Sequence, residues 1–346
     1  MTLKKIVKQV GALGVACSMA LGALSAQAEE TIKVGVLHSL SGTMAISETT
    51  LKDTMLMLIE EQNKKGGLLG KQLEPVVVDP ASNWPLFAER TRELLEQHGV
   101  DAIFGCWTSV SRKSVLPVVE ELNGILFYPV QYEGQECSRN VFYFGATPNQ
   151  QVEPGIRWLF ENGATDFFLI GSDYIYPHTV NAIINAQIAE LGGRVAGERY
   201  IPLEPTQIAP VIDAIRRALP DGGSIVNTIN GENNVDFFMQ AYAAGLTPEN
   251  GYTIMSFSVT EEVVAAIGPR FLEGTYAVWS YFDSLDTPVA RKFAAEFRRN
   301  FGVHRVTSDP DEAAYAMVHI WASAVEAADS TDPMRVREAM AGIVFD

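Results

Sequence analysis

The sequence predicts an α/β protein of two lobes, each a doubly wound parallel sheet with helices on both faces. Three observations predict it. Short, continuously apolar runs alternate with longer helical ones, which is the rhythm of strand–helix–strand units. That rhythm breaks once, around residues 141 to 150, and then restarts. The chain has 346 residues, long for one small domain and comfortable for two.

The first 28 residues stand apart from this pattern. Lys4, Lys5 and Lys8 give a basic start, Val10 to Leu24 is apolar and small, and Ala26-Gln27-Ala28 is an A-x-A cleavage site followed by Glu29-Glu30. This is the make-up of a secretory signal peptide cleaved after Ala28. The apolar run is short of the ~20 residues of a spanning helix. Cys17 is preceded by Gly14-Val15-Ala16, a poor lipobox. The address is therefore periplasmic, with no membrane insertion once the signal is removed. Removal takes three lysines and no acids, which moves the net charge from −16 to −19. So acidic a chain is a poor partner for nucleic acid or anionic lipid. An oxidising compartment allows a disulfide between the remaining Cys106 and Cys137; the alternative is two free thiols.

In the first series, strands are expected at 31–38, 73–78, 101–105 and 124–128. Helices are expected to about Lys65, where Gly66-Gly67 caps, from Pro85 to His98, and from Val110 to Leu122. Val141 to Phe144 leads into a crossover at Gly145 to Asn149. The second series has strands near 166–171, 194–200, 224–229, 252–257 and 275–281. Its helices fit 150–162, 178–191, 206–218, 233–244 and 260–267. Helices at 289–301, with Asp286 or Thr287 as N-cap, 310–328 and 332–340 follow. The last residues, Gly342 to Asp346, read as the start of a strand, as though the chain were cut short of its natural end.

Enzyme chemistry finds no support. No two histidines stand at metal-ligand spacing, and neither a nucleophile elbow nor a glycine-rich phosphate loop is present. No cofactor is called for. Polar and aromatic residues instead collect just after strands, where open parallel sheets bind ligands. Ile103-Phe104-Gly105-Cys106-Trp107-Thr108-Ser109 is a strand running into a helix start, which leaves N–H groups and hydroxyls free. Ser109 could equally be a plain N-cap and Trp107 plain packing. Tyr128-Pro129-Val130-Gln131-Tyr132 offers two tyrosines and an amide to clamp a planar polar molecule, or simply an aromatic loop packed on its neighbour. Tyr174 and Tyr176, Asn230, and Ser258 follow strands of the second series. Each is weak alone; five such loops from both lobes argue for a cleft.

These stretches carry a resemblance. Phe104 to Ser109 with Arg112-Lys113, Tyr128 to Gly134, Ile170 to Pro177 and Tyr281 to Pro288 together resemble the type I periplasmic binding proteins of the branched-chain amino acid class, within its urea and short-chain amide branch. The resemblance covers the whole mature chain. It implies two lobes joined by three crossovers, closing like a hinge. Lobe one would be 29–148 plus 282–330, and lobe two 149–281 plus 331–346, incomplete. It implies a solute carrier that hands urea or an amide to the membrane permease of an ABC transporter. An amide-sensing regulatory receptor shares several of these stretches, and a branched-chain amino acid carrier is the further alternative. By the resemblance, Ser109, the backbone at Val130, and Tyr174 hold the amide, while Trp107, Tyr128, Gln131 and Tyr176 match neighbouring pocket positions; Thr108, Asn230 and Ser258 join them as candidates from their place after strands. Trp107 stands where the amide sensor has a tyrosine, and Val130 also departs from it; both changes favour urea over acetamide. Ser258 lies near where amino-acid carriers place an acid, with Glu261 and Glu262 close by.

Overall fold

The computed structural model describes residues 30–345. The signal segment and its cleavage site lie outside the described residues. Among those described, no helix is long and apolar enough to cross a membrane.

The first sheet contains β1 (Ile32–Leu37), β2 (Leu73–Val78), β3 (Ala102–Gly105), β4 (Leu126–Tyr128) and β5 (Val141–Tyr143). All pair in parallel, in the order β2-β1-β3-β4-β5. The second contains β6 (Asp166–Ser172), β7 (Arg194–Ile201), β8 (Gly223–Thr228), β9 (Tyr252–Ser256) and β10 (Tyr276–Ala277), parallel in the order β10-β9-β8-β6-β7. The strand expected over 275–281 is thus only two residues long. Every crossover returns through a helix except that from β4 to β5, which is a helix-free loop over 129–140, and because all strands are parallel their carboxyl ends gather on one edge of each sheet.

The helices are α1 (Ala45–Lys64), α2 (Trp84–Arg92), α3 (Ser109–Glu121), α4 (Val152–Glu161), α5 (Ile175–Glu190), α6 (Ala209–Ala218), α7 (Asn233–Ala243), α8 (Glu261–Ile267), α9 (Pro288–Phe301), α10 (Asp309–Ala328) and α11 (Pro333–Met340). A π-helical turn at Glu93–His98 prolongs α2 until Gly99, in the left-handed region, stops it. Thr287 is the N-cap of α9, accepting from the N–H of Ala290 at 3.2 Å.

Alternation along β6 explains its continuously apolar sequence. Phe167 and Leu169 enter one core and Phe168 and Ile170 the other, so both faces are covered. In the first sheet, Phe104, Phe127 and Phe142 stand in register on adjacent strands. Their rings stack at 4.7 and 5.3 Å, and Trp321 of α10 meets Phe104 edge-on at 5.6 Å. The terminal segment departs from expectation. The resemblance implies that residues 331–346 belong to lobe two, but α11 puts Val336 into the first core, and Arg337 donates to Asn123 at 3.1 Å. Its apolar side is buried by α10, the helix just before it in the chain.

Candidate functional site

The loop after β3 is built around a sharp reversal. Cys106 adopts the left-handed region (φ 68°), its N–H donating to the Leu37 carbonyl at 2.9 Å. That turn sends the chain into α3. Thr108, not Ser109, is the N-cap: its Oγ1 accepts from the N–H of Ser111 at 3.1 Å. Ser109 is thereby released from capping. Its Oγ donates to Glu133 Oε2 at 2.6 Å and accepts from Arg112 Nη1 at 3.1 Å.

Arg112, one turn further along α3, has a fully buried side chain. Its Nε donates to Glu136 at 2.8 Å, its Nη2 reaches Glu133 at 3.3 Å, and its guanidinium lies 4.8 Å from the Tyr128 ring. Lys113 also pairs with Glu136, and the Tyr143 hydroxyl donates to the same carboxylate at 2.6 Å. Burial alone would raise the Glu136 pKa; the bonds from Arg112, Lys113 and Tyr143 outweigh it and lower the carboxyl to about 2. Two acids and two bases match each other inside this wall. The stretches carrying the resemblance contained Arg112, Lys113 and Glu133, yet sequence reasoning did not single them out as a unit. Nothing in the spacing showed that an acid 24 residues on would fold back onto the helix.

Tyr128 is buried, and its hydroxyl donates to the Trp107 carbonyl. Burial pushes its pKa up, as it does for Tyr174 and Tyr176. All three remain neutral phenols. The loop after β4 is fixed from behind by Gly145, where a Cβ would fall 2.0 Å from the carbonyl carbon of Val130; only glycine fits.

The two strand-end edges meet. The Trp107 indole donates to Asn230 Oδ1 at 3.3 Å. Gln131 Nε2 donates to the Phe257 carbonyl at 2.9 Å and to Ser258 Oγ at 3.2 Å. Gln151 donates to that carbonyl at 3.3 Å, and the Tyr176 hydroxyl donates to Gln151 at 3.4 Å. Tyr174 is half-buried and packs on cores of both lobes. Thr43 Oγ1 donates to the Leu203 carbonyl at 3.2 Å, and the N–H of Glu232 donates to the Thr43 carbonyl at 3.2 Å. The structure is therefore the closed arrangement. Trp107, Ser109, Tyr128, Gln131, Tyr174, Tyr176, Asn230 and Ser258 gather there, with Val130 buried behind. Thr108 is spent on capping. The loops 39–43 and 79–84 are bound largely to each other: the N–H of Leu40 and the Ser41 hydroxyl donate to Asp79 at 2.9 and 2.7 Å.

The second wall is wired without charge. Asn230 N–H donates to Ser172 Oγ at 3.0 Å. Asn227 donates to Asn234 and Ser256 at 3.0 and 3.1 Å, and its Oδ1 accepts from the N–H of Ile229 at 2.8 Å. Glu261 and Glu262 point elsewhere. Glu261 accepts from the N–H of Asp283 at 2.8 Å and Glu262 from Ser308 at 3.5 Å, both in the segments that cross between lobes. The allowed disulfide does not form: Cys106 is buried at the end of β3, Cys137 is exposed on the loop after β4, and both thiols are free. Among the described residues no group of His, Cys, Asp and Glu could hold a metal ion.

Two parallel-sheet lobes, closed strand-end to strand-end over neutral polar groups, define a solute-binding protein of the two-lobed α/β type. The family model of the periplasmic binding protein domain matches residues 32–346, and the chain belongs to that family. The family binds solutes and is not enzymatic. The chain is 23% identical over 332 residues to the Leu/Ile/Val-binding protein homolog 6 of Brucella suis biovar 1 (strain 1330), covering 93% of this chain and 83% of the relative. Its fold is similar to that of the branched-chain amino acid transporter substrate binding protein of Streptococcus pneumoniae in complex with isoleucine, with a TM-score of 0.79, 20% identity, and 90% and 88% of the two chains covered. It is equally similar to a solute binding protein of an ABC transporter from Rhodopseudomonas palustris in complex with 4-hydroxybenzoate, with a TM-score of 0.80, 22% identity, and 90% and 84% covered.

Proposed function

We propose that the protein binds urea, or a short-chain amide, between its lobes and delivers it to the permease of an ABC transporter in the periplasm. The observation that supports this reading is the charge balance of the cleft. Arg112 and Lys113 are matched by Glu133 and Glu136, and the buried side chains wired together on the opposite wall are neutral. An amino acid would need a partner for its ammonium and another for its carboxylate, and a hydroxybenzoate a partner for its carboxylate. Urea needs neither.

Proton accounting points the same way. The hydroxyl hydrogens of Ser109 and Tyr128 are already donated, to Glu133 and to the Trp107 carbonyl. Both oxygens meet a ligand only as acceptors, as does the oxygen of Gln131. Urea brings four N–H donors. Its single carbonyl takes Tyr174 or an unpaired N–H at the start of α3. Trp107 and Tyr176 supply flat walls.

Calorimetry on the mature protein tests this. Urea gives 1:1 binding heat and leucine and 4-hydroxybenzoate give none. Heat with leucine and none with urea or any small amide overturns the reading. Trp107→Ala and Tyr174→Ala weaken urea binding while the melting transition stays cooperative.

A further inference from the structure

Gln131 belongs to the first lobe, yet both hydrogen bonds of its Nε2 cross to the second, to the Phe257 carbonyl and Ser258 Oγ. Those partners follow β9, so the bonds exist only when the lobes are together. The other end of the same amide is different. Gln131 Oε1 is sealed from solvent and has no hydrogen-bond partner. The whole residue is 4% exposed. The amide cannot be turned to relieve this, because Oε1 would then face the Phe257 carbonyl, acceptor against acceptor. The backbone cannot shift to relieve it either, since Gly145 presses on the Val130–Gln131 peptide.

We propose that Gln131 couples recognition to closure: its NH₂ group latches the lobes, and its Oε1 accepts an N–H of the bound solute. The inference rests on the reading of the ligand as a neutral N–H donor. In the open form, water satisfies both ends of the side chain. Closing strips water from Oε1 and leaves a buried acceptor unmatched, which disfavours closure around an empty cleft. A solute with an N–H at that point restores the bond, so closure follows ligand. A solute of the same shape without N–H cannot. The device separates an amide from its ketone isostere, as sites built to bond a donor do.

Acetamide and acetone form the test pair, since they differ by NH₂ against CH₃. Displacement calorimetry against urea gives the affinity ratio for wild type, Gln131→Met and Gln131→Glu. Small-angle scattering with and without urea reads closure. Wild type prefers acetamide and contracts with urea. Gln131→Met, which lacks both amide ends, loses about tenfold of that preference, equivalent to ~1.4 kcal/mol. Gln131→Glu keeps an acceptor and loses the donor, so it keeps the preference, binds every ligand more weakly, and contracts less. If Gln131→Met does not fold, the Glu variant carries the test, and loss of its preference overturns the inference. An unchanged ratio in a folded Gln131→Met, with urea still bound by wild type, overturns this inference alone. Wild type that binds neither urea nor an amide overturns the functional reading and this inference with it.

Discussion

The wall of the cleft on the first lobe is held by full charges, and the buried side chains that hold the wall on the second are neutral. On the first, Arg112 is buried among Glu133, Glu136 and the rings of Tyr128, Tyr132 and Tyr143. On the second, Asn227, Asn234, Ser256, Ser172 and Asn230 are joined only by neutral hydrogen bonds. Both walls hold strand-end groups in place, and both present a neutral face to the cleft. They differ in how much is lost when one member is removed. A buried ion pair that loses a partner leaves an uncompensated charge, whereas an amide network that loses a member leaves an unmatched dipole.

Arg112→Met is the most direct way to break this comparison. It strands two carboxylates whose side chains are 8% and 9% exposed. Stability falls by about 3–5 kcal/mol, the range for a buried pair with one partner removed. Lys113, half-exposed at 42%, offsets little of it. Guanidinium chloride unfolding measures the loss; urea is unsuitable as denaturant for a protein proposed to bind it. A change under 1 kcal/mol would show that the charges do not hold this wall.

Asn227→Ala is the matching probe on the other side. It removes the bonds to Asn234 and Ser256 and orphans the N–H of Ile229, all buried. A loss of about 1–3 kcal/mol is expected from unmatched neutral groups. If Asn227→Ala costs as much as Arg112→Met, the two walls do not differ in the way described.

The contrast between the walls also marks what the sequence makes legible. Alternating apolar runs specify both sheets, because a strand buried on two faces must be apolar at consecutive positions, as Phe167 to Ile170 are. Strand-end residues such as Trp107, Tyr174 and Asn230 could be named because position after a strand is a local property. The ionic cluster of the first wall was not legible. Arg112 and Glu136 meet only because the loop after β4 returns over α3, a tertiary event with no local pattern. The role of Ser109 shifted for a finer reason. Thr108 and Ser109 are both good caps, and only the turn at Cys106 decides that Thr108 takes the position. The placement of α11 failed for want of a partner signal, since an amphipathic helix does not state which core it will cover.

The smallest expected effect lies off both walls, where acids gather in the crossing segments. Glu261 is pushed up to about 7, mainly by burial and further by the charges of Asp283 and Asp311, against the bonds it accepts from the backbone. The folded state therefore holds its proton more tightly than the unfolded state does. Between the ordinary carboxylate range and pH 7, folded protein binds more protons, so stability falls as pH rises through that window. Asp311, raised to about 6 chiefly by burial, acts in the same sense over a narrower range. Glu136, at about 2, acts in the opposite sense but is fully ionised before the window opens. His319, lowered by burial, opposes the trend below its ordinary value. The difference between wild type and Glu261→Gln reports Glu261 together with the push its charge gives buried Glu262, because glutamine still accepts from the N–H of Asp283 and carries no charge. Stability of the variant, followed by guanidinium chloride unfolding from pH 5 to pH 8, loses about 1 kcal/mol less than wild type over that interval, a value discounted for partial exposure. Parallel curves for the two proteins would mean that Glu261 ionises without cost. The uncharged second wall would then owe nothing to the exclusion of Glu261 and Glu262 from the cleft.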